Sequence, residues 1–180
     1  MELNARLQEL KSKVMSRKRN VLFDNDGGDS AKLAEAPTPE ALVESRTKPA
    51  LDAGIDTYIY TTGWGFGIGL HDSNVGSVLR TKEGHLSDNL TDEFAQEGTD
   101  CLRIVSEYVK ESGTEFFWGM RMNDTHDAGY GNVFMPENKF KNEHPDVLFG
   151  EGVKHGAVTA VDYLDPRVRE FGVAYIMDVV

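Results

Sequence analysis

The feature that most constrains this chain is its alternation of short β-like runs with helical patterns, because strand–helix–strand units build a mainly parallel sheet with helices packed on it. Val21-Leu22-Phe23 reads as a first strand that runs into Asp24-Asn25-Asp26-Gly27-Gly28-Asp29. A helix over residues 39–46 follows, with Thr38 as its cap and Pro39 at the first helical position, where a missing N–H costs nothing. Thr57-Tyr58-Ile59-Tyr60-Thr61 gives a second strand, ending in the glycine-rich stretch from Gly63 to Gly69. A long loop over residues 62–89 leads toward a helix over residues 99–112, with Gly113 as its stop. Residues 115–122 form a third strand, and Asp165-Pro166 opens a last helix whose apolar face is Val168, Phe171, Tyr175 and Val179.

Residues 1–19 stand apart as an N-terminal amphipathic helix or leader, with Leu3, Leu7, Leu10 and Val14 on one narrow stripe. That segment carries six Lys/Arg against two Glu, which leaves a formal charge of −15 on the remainder of a chain whose total is −11. Such acidity argues against nucleic-acid partners, whose phosphates need basic neutralisation, and favours neutral or cationic ligands. The stripe lacks aromatics and no run of eighteen apolar residues exists, so no membrane partner is expected. No secretory signal is recognisable, and the chain as written reads as soluble and cytoplasmic. Cys101, the single cysteine, permits no internal disulfide.

The polar residues collect where the three strands end, the face that forms sites in parallel α/β architectures. Alternation on the third strand sends Phe116, Trp118, Met120 and Met122 toward the helix layer, and Phe117, Gly119, Arg121 and Asn123 to the opposite side. Arg121, Asn123, Asp124, His126 and Asp127 are therefore candidate ligand-binding residues, joined by Asp24, Asn25 and Asp26 from the first strand end and His71 from the second loop. Carboxylates, amides and an imidazole around one mouth suit sugar hydroxyls, which both donate and accept. Trp64, flanked by glycines, could offer an aromatic face to a sugar ring. The bland alternative is a set of local turn hydrogen bonds with Arg121 as a structural ion pair. Asp124, His126, Asp127, His71 and Asp72 also suggest a metal site, but the helical two-histidine spacing of zinc peptidases is missing, and neither a metal nor a cofactor is expected. The alternating glycines do not lead into a helix and so do not make a phosphate loop.

From Phe117 to Ala128 the sequence FWGMRMNDTHDA resembles a group of bacterial glycoside-hydrolase-like (β/α)8-barrel proteins, often from planctomycetes and other polysaccharide degraders. Leu22 to Asp29, His71 to Gly76, Lys141 to Asp146 and Val161 to Tyr163 agree with that family in type and order. The resemblance implies a partial TIM-type barrel over residues 20–180, made of the first three to four βα units with long βα loops, its C-terminal half absent. It further implies a glycosidase acting on a poly- or oligosaccharide, with relatives often exported. The paired carboxylates that such catalysis needs are expected beyond Val180, so no catalytic pair is assigned here. The competing expectations are a non-catalytic carbohydrate-binding barrel and a metal-dependent hydrolase on a similar barrel. An unfinished sheet would also expose an edge through which copies could self-associate.

Overall fold

The computed structural model describes residues 2–129, 133–151 and 154–179. Met1 and Val180, at the ends of two of the expected helices, fall outside that range. Three strands, β1 (Leu22–Asn25), β2 (Thr57–Gly63) and, later in the chain, a strand at Glu115–Met120, form one parallel sheet with β2 in the middle. Two short strands, β3 (Ile68–Gly69) and β4 (Ser77–Val78), pair in parallel as a separate ribbon, which makes Glu115–Met120 the fifth strand, β5. The register sets Asp24 beside Ile59 and Ile59 beside Phe117, so the three strands run side by side and end at the same edge.

The barrel expectation is overturned by this arrangement. The described residues form a small α/β domain with an open three-stranded sheet and a two-stranded ribbon, and no strand closes β1 onto β5. Local alternation of strand and helix dictates parallel pairing, but a sheet closes only when the strand number and stagger suffice to bring its edges together. Three strands do not.

Helices cover one face of the sheet. Helix α1 (Glu2–Ser16) precedes it, α2 (Pro39–Ser45) and α3 (Thr47–Asp52) connect β1 to β2, and α4 (Thr91–Gln96) and α5 (Cys101–Glu111) lead into β5. Thr38 caps α2 by accepting the Ala41 N–H at 3.2 Å, and Asp100 caps α5 through Arg103 N at 2.9 Å. Leu42, Val43, Ile104, Val105 and Val109 from these helices pack on Tyr58 and Tyr60 of β2 in the main core. The other face, to which the period-two alternation directs Leu22 and Phe117, is open, with these two residues 52% and 44% exposed. Helix α1 leaves Leu7, Leu10 and Val14 about half exposed, so these three stripe residues are not buried in the body.

The long loops build a second core. Phe66, Phe140, Val147, Val161 and Val168 gather Met120, Tyr163 and Phe171, drawing together the glycine-rich stretch, α6 (Lys139–Glu143) and α7 (Pro166–Val179). Among the described residues, no helix is long and apolar enough to cross a membrane.

Candidate functional site

A cavity of about 200 Å³ opens at the C-terminal end of the sheet. Asp26, Trp64, Arg121, Asp124, His126 and Asp127 line it, together with Lys32, Gly65, Ile68, His85 and Phe134. It falls below the roughly 300–1,000 Å³ of pockets that enclose drug-sized ligands, so it takes one ring-sized group.

One wall comes from the turn after β1. Gly27 has φ +78°, and a Cβ there would lie 2.0 Å from the Thr61 carbonyl oxygen, so only glycine lets the turn cross the end of β2. Asn25 staples that turn from below. Its buried amide donates to Asp29 Oδ2 at 2.9 Å and Tyr58 Oη at 2.7 Å, while its oxygen accepts Gly27 N and Arg46 Nη1, each at 3.0 Å. The Asp26 carboxylate receives Arg46 Nη1 at 2.5 Å, and its carbonyl receives the Trp64 indole N–H at 2.7 Å. Burial alone would raise the Asp26 carboxyl, but the hydrogen bond and charge of Arg46, helped by Arg121 and the Gly28 amide, hold it below the ordinary range. Asp26 is thus an anionic acceptor at the cavity edge.

Trp64 forms the aromatic part of the wall. Its indole is fixed by Asp26, Phe134 packs edge-on at 6.0 Å, and the Lys32 ammonium lies over the ring at 5.1 Å. His85 meets Phe134 edge-on at 5.6 Å; burial and the charge of Lys32 both lower its pKa.

The opposite wall is the segment after β5. Arg121 Nη1 approaches Asp124 Oδ2 at 3.4 Å, and Asp124 Oδ1 accepts the His126 backbone N–H at 2.8 Å. Both Asp124 oxygens lie 2.8 Å from His126 Nδ1, so the carboxylate orients the imidazole and favours the proton on Nδ1, leaving the lone pair of the neutral ring on Nε2. Asp127 is held otherwise: Oδ2 accepts the Nζ of Lys141 at 2.6 Å and Oδ1 accepts the Thr159 hydroxyl. Lys141 is fully buried and Asp127 only 6% exposed, so this pair anchors the segment from beneath, with a further donation from Lys141 to the Asp124 carbonyl at 3.3 Å.

The residues expected from sequence therefore divide. Asp26, Trp64, Arg121, Asp124, His126 and Asp127 converge on the cavity, with Asp127 as its foundation. Asn123 does not face it; its amide pairs with the backbone of Val161 in both directions, at 3.1 and 2.8 Å, in the manner of a strand. Asp24 accepts the Thr61 hydroxyl at 3.3 Å on the open sheet face, and Asn25 is interior. His71 is 2% exposed, bonded to Thr62 Oγ1 at 2.8 Å and stacked on Tyr175, so it serves the interior and not the cavity. Among the described residues, no group of three or more His, Cys, Asp or Glu side chains is placed to hold a metal ion.

Lys32, His85 and Phe134 are the site residues that sequence patterning does not reveal. Lys32 follows the first strand-end turn by only three residues and could have been suspected on that ground; His85 and Phe134 lie in aperiodic loops with no such signal. Comparison with known proteins adds no assignment: no family model matches the chain, and no curated protein matches it.

Proposed function

We propose that the cavity is a saccharide-binding site in a glycoside-hydrolase-like protein. The observation that carries this reading is the placement of Trp64 in the same ring-sized cavity as Asp26, Arg121, Asp124 and His126. A pyranose presents an apolar C–H surface and a rim of hydroxyls, and this lining supplies an aromatic body with fixed donors and acceptors around it. Asp26 and Asp124 are pre-oriented by Arg46 and by His126, so little side-chain freedom is lost on binding.

Hydrolysis is a second reading, favoured by the Asp124–His126 pair. An imidazole oriented by a carboxylate is a general acid or base, whereas two-carboxylate glycoside cleavage needs one protonated acid, a role that the anionic Asp26 does not fill. Binding is the stronger of the two. Calorimetric titration with neutral and acidic oligosaccharides tests it: an interaction that disappears in Trp64→Ala, with folding retained by circular dichroism, is the expected result. Absence of binding across both sets would end the saccharide reading. Reducing-end release that His126→Ala abolishes would bring in the hydrolytic one.

A further inference from the structure

We infer that the saccharide accepted here carries an anionic group, a uronic carboxylate or a sulfate ester, received by Lys32 with Arg121. The inference rests on the saccharide reading and narrows it.

The charges around the cavity are unequally matched. Asp26 is paired with Arg46 at 2.5 Å, Asp124 faces Arg121 and His126, and Asp127 is paired with Lys141 at 2.6 Å. Lys32 has no carboxylate partner among the described residues; its ammonium lies over the Trp64 ring, 5.1 Å from the centroid. A cation–π contact satisfies the charge only partly and leaves the three N–H donors of a lysine available for stronger acceptors. Its field reaches the neighbouring imidazole, since the Lys32 charge is one of the two causes that lower the His85 pKa. Arg121 adds capacity. Its contact to Asp124 is long, at 3.4 Å, and it uses one of the five N–H donors of a guanidinium.

A neutral sugar would leave these donors facing hydroxyls, whereas a carboxylate or sulfate on the ring would form charge-assisted bonds while the ring lies against Trp64. The net negative charge of the whole chain works against polyanions at long range, but separations beyond about 8 Å are screened at physiological ionic strength. The contact with Lys32 is inside that distance and decides.

The test is calorimetric titration of the full chain with four probes: an oligouronide, its methyl ester, a sulfated oligosaccharide and an unsulfated neutral one. The oligouronide or the sulfated probe should bind about tenfold or more tightly than its uncharged counterpart, as one charge-assisted hydrogen bond implies. That preference should collapse in Lys32→Met and persist in Lys32→Arg. Lys32 is exposed, so the substitution should leave the thermal midpoint unchanged. Tight binding of only one of the two anionic probes, with the same Lys32 dependence, supports the inference and identifies the source of the charge. Equal binding of charged and uncharged probes overturns it while leaving the saccharide reading intact. An anionic preference that survives in Lys32→Met overturns the assignment to Lys32, and absence of binding by all four overturns both readings.

Discussion

His126 and His71 occupy two regions that share a chemical inventory and differ in surroundings. Each imidazole directs Nδ1 to an oxygen at 2.8 Å, Asp124 in one case and Thr62 in the other. The His126 side chain is 51% exposed at a cavity edge, whereas His71 is 2% exposed, between Trp118 at 5.6 Å and Tyr175 at 5.7 Å. The difference teaches that a polar strand-end residue becomes part of a site or part of the interior according to what the following loop brings over it. After β5 the chain folds down onto Lys141, leaving His126 outward and Asp124 in the cavity wall beneath it. After β2 it is covered by α7, whose Tyr175 stacks on His71.

The largest expected effect lies in the anchor beneath the outward region. Lys141→Met would strand the Asp127 carboxylate without its cation in a buried setting, a change that costs about 3–5 kcal/mol when one partner of a buried pair is removed. Chemical denaturation should show that loss, and Asp127→Asn combined with Lys141→Met should recover part of it. If Lys141→Met alone were nearly neutral, the segment carrying Asp124 and His126 would not depend on this anchor, and the contrast between the two regions would weaken.

Next comes the interior imidazole. His71→Ala removes a packed ring from between two aromatics and a hydrogen bond to Thr62, for which about 2–4 kcal/mol is the ordinary range. Denaturant midpoints of this variant and of His126→Ala should differ clearly. Comparable losses would put the two histidines in the same class and break the comparison.

A smaller effect follows from pH. Burial lowers the His71 pKa below 6.5, against the opposing charges of Asp100, Asp178 and Asp72, so the folded state stays neutral where the unfolded chain takes up a proton. The contribution is therefore present above about pH 6.5 and is lost as pH falls below it. His85 is lowered as well, so the measurement belongs in a His85→Asn background, where a residual fall in stability below about pH 6.5 assigns the remainder to His71. At lower pH a separate decline is expected. Glu115, drawn down to about 2 by the Arg19 and Thr57 hydrogen bonds, stabilises the fold above its ordinary 4.5 and loses that contribution toward pH 2.

How far these regions were legible in the sequence follows from the range of the interactions. The alternation in β5 separates Phe116, which packs on the core, from Phe117, which stands on the open face, because side-chain direction depends only on the pleat, but it fails at Met122, expected in the helix layer and 46% exposed, and at Met120, which joins the loop core. The same alternation cannot distinguish an open sheet from a closed barrel, since the pleat carries no record of how many strands pair, and the barrel expectation failed there. Among the polar residues, Asp124 and His126 interact across two positions and could be read locally. Asn123 pairs with Val161 and Asp127 with Lys141, across 38 and 14 positions of aperiodic loop, so local pattern could not reveal their structural roles.

The smallest stability effect belongs to His126 itself, and it sharpens the comparison most for function. The ring is half exposed and its partner Asp124 keeps two other contacts, the His126 backbone N–H and Arg121, so His126→Ala should leave Asp124 in place and change stability by no more than about 0.5 kcal/mol. The same substitution removes an oriented imidazole from the cavity wall and should weaken saccharide binding measurably. His126→Asn, which retains a donor of similar reach, should restore part of that affinity. Loss of affinity with unchanged unfolding is the signature of a ligand-facing group. Loss of stability on the scale of His71→Ala would instead mean that Asp124 requires the imidazole to hold its segment, and His126 would then belong with the interior residues.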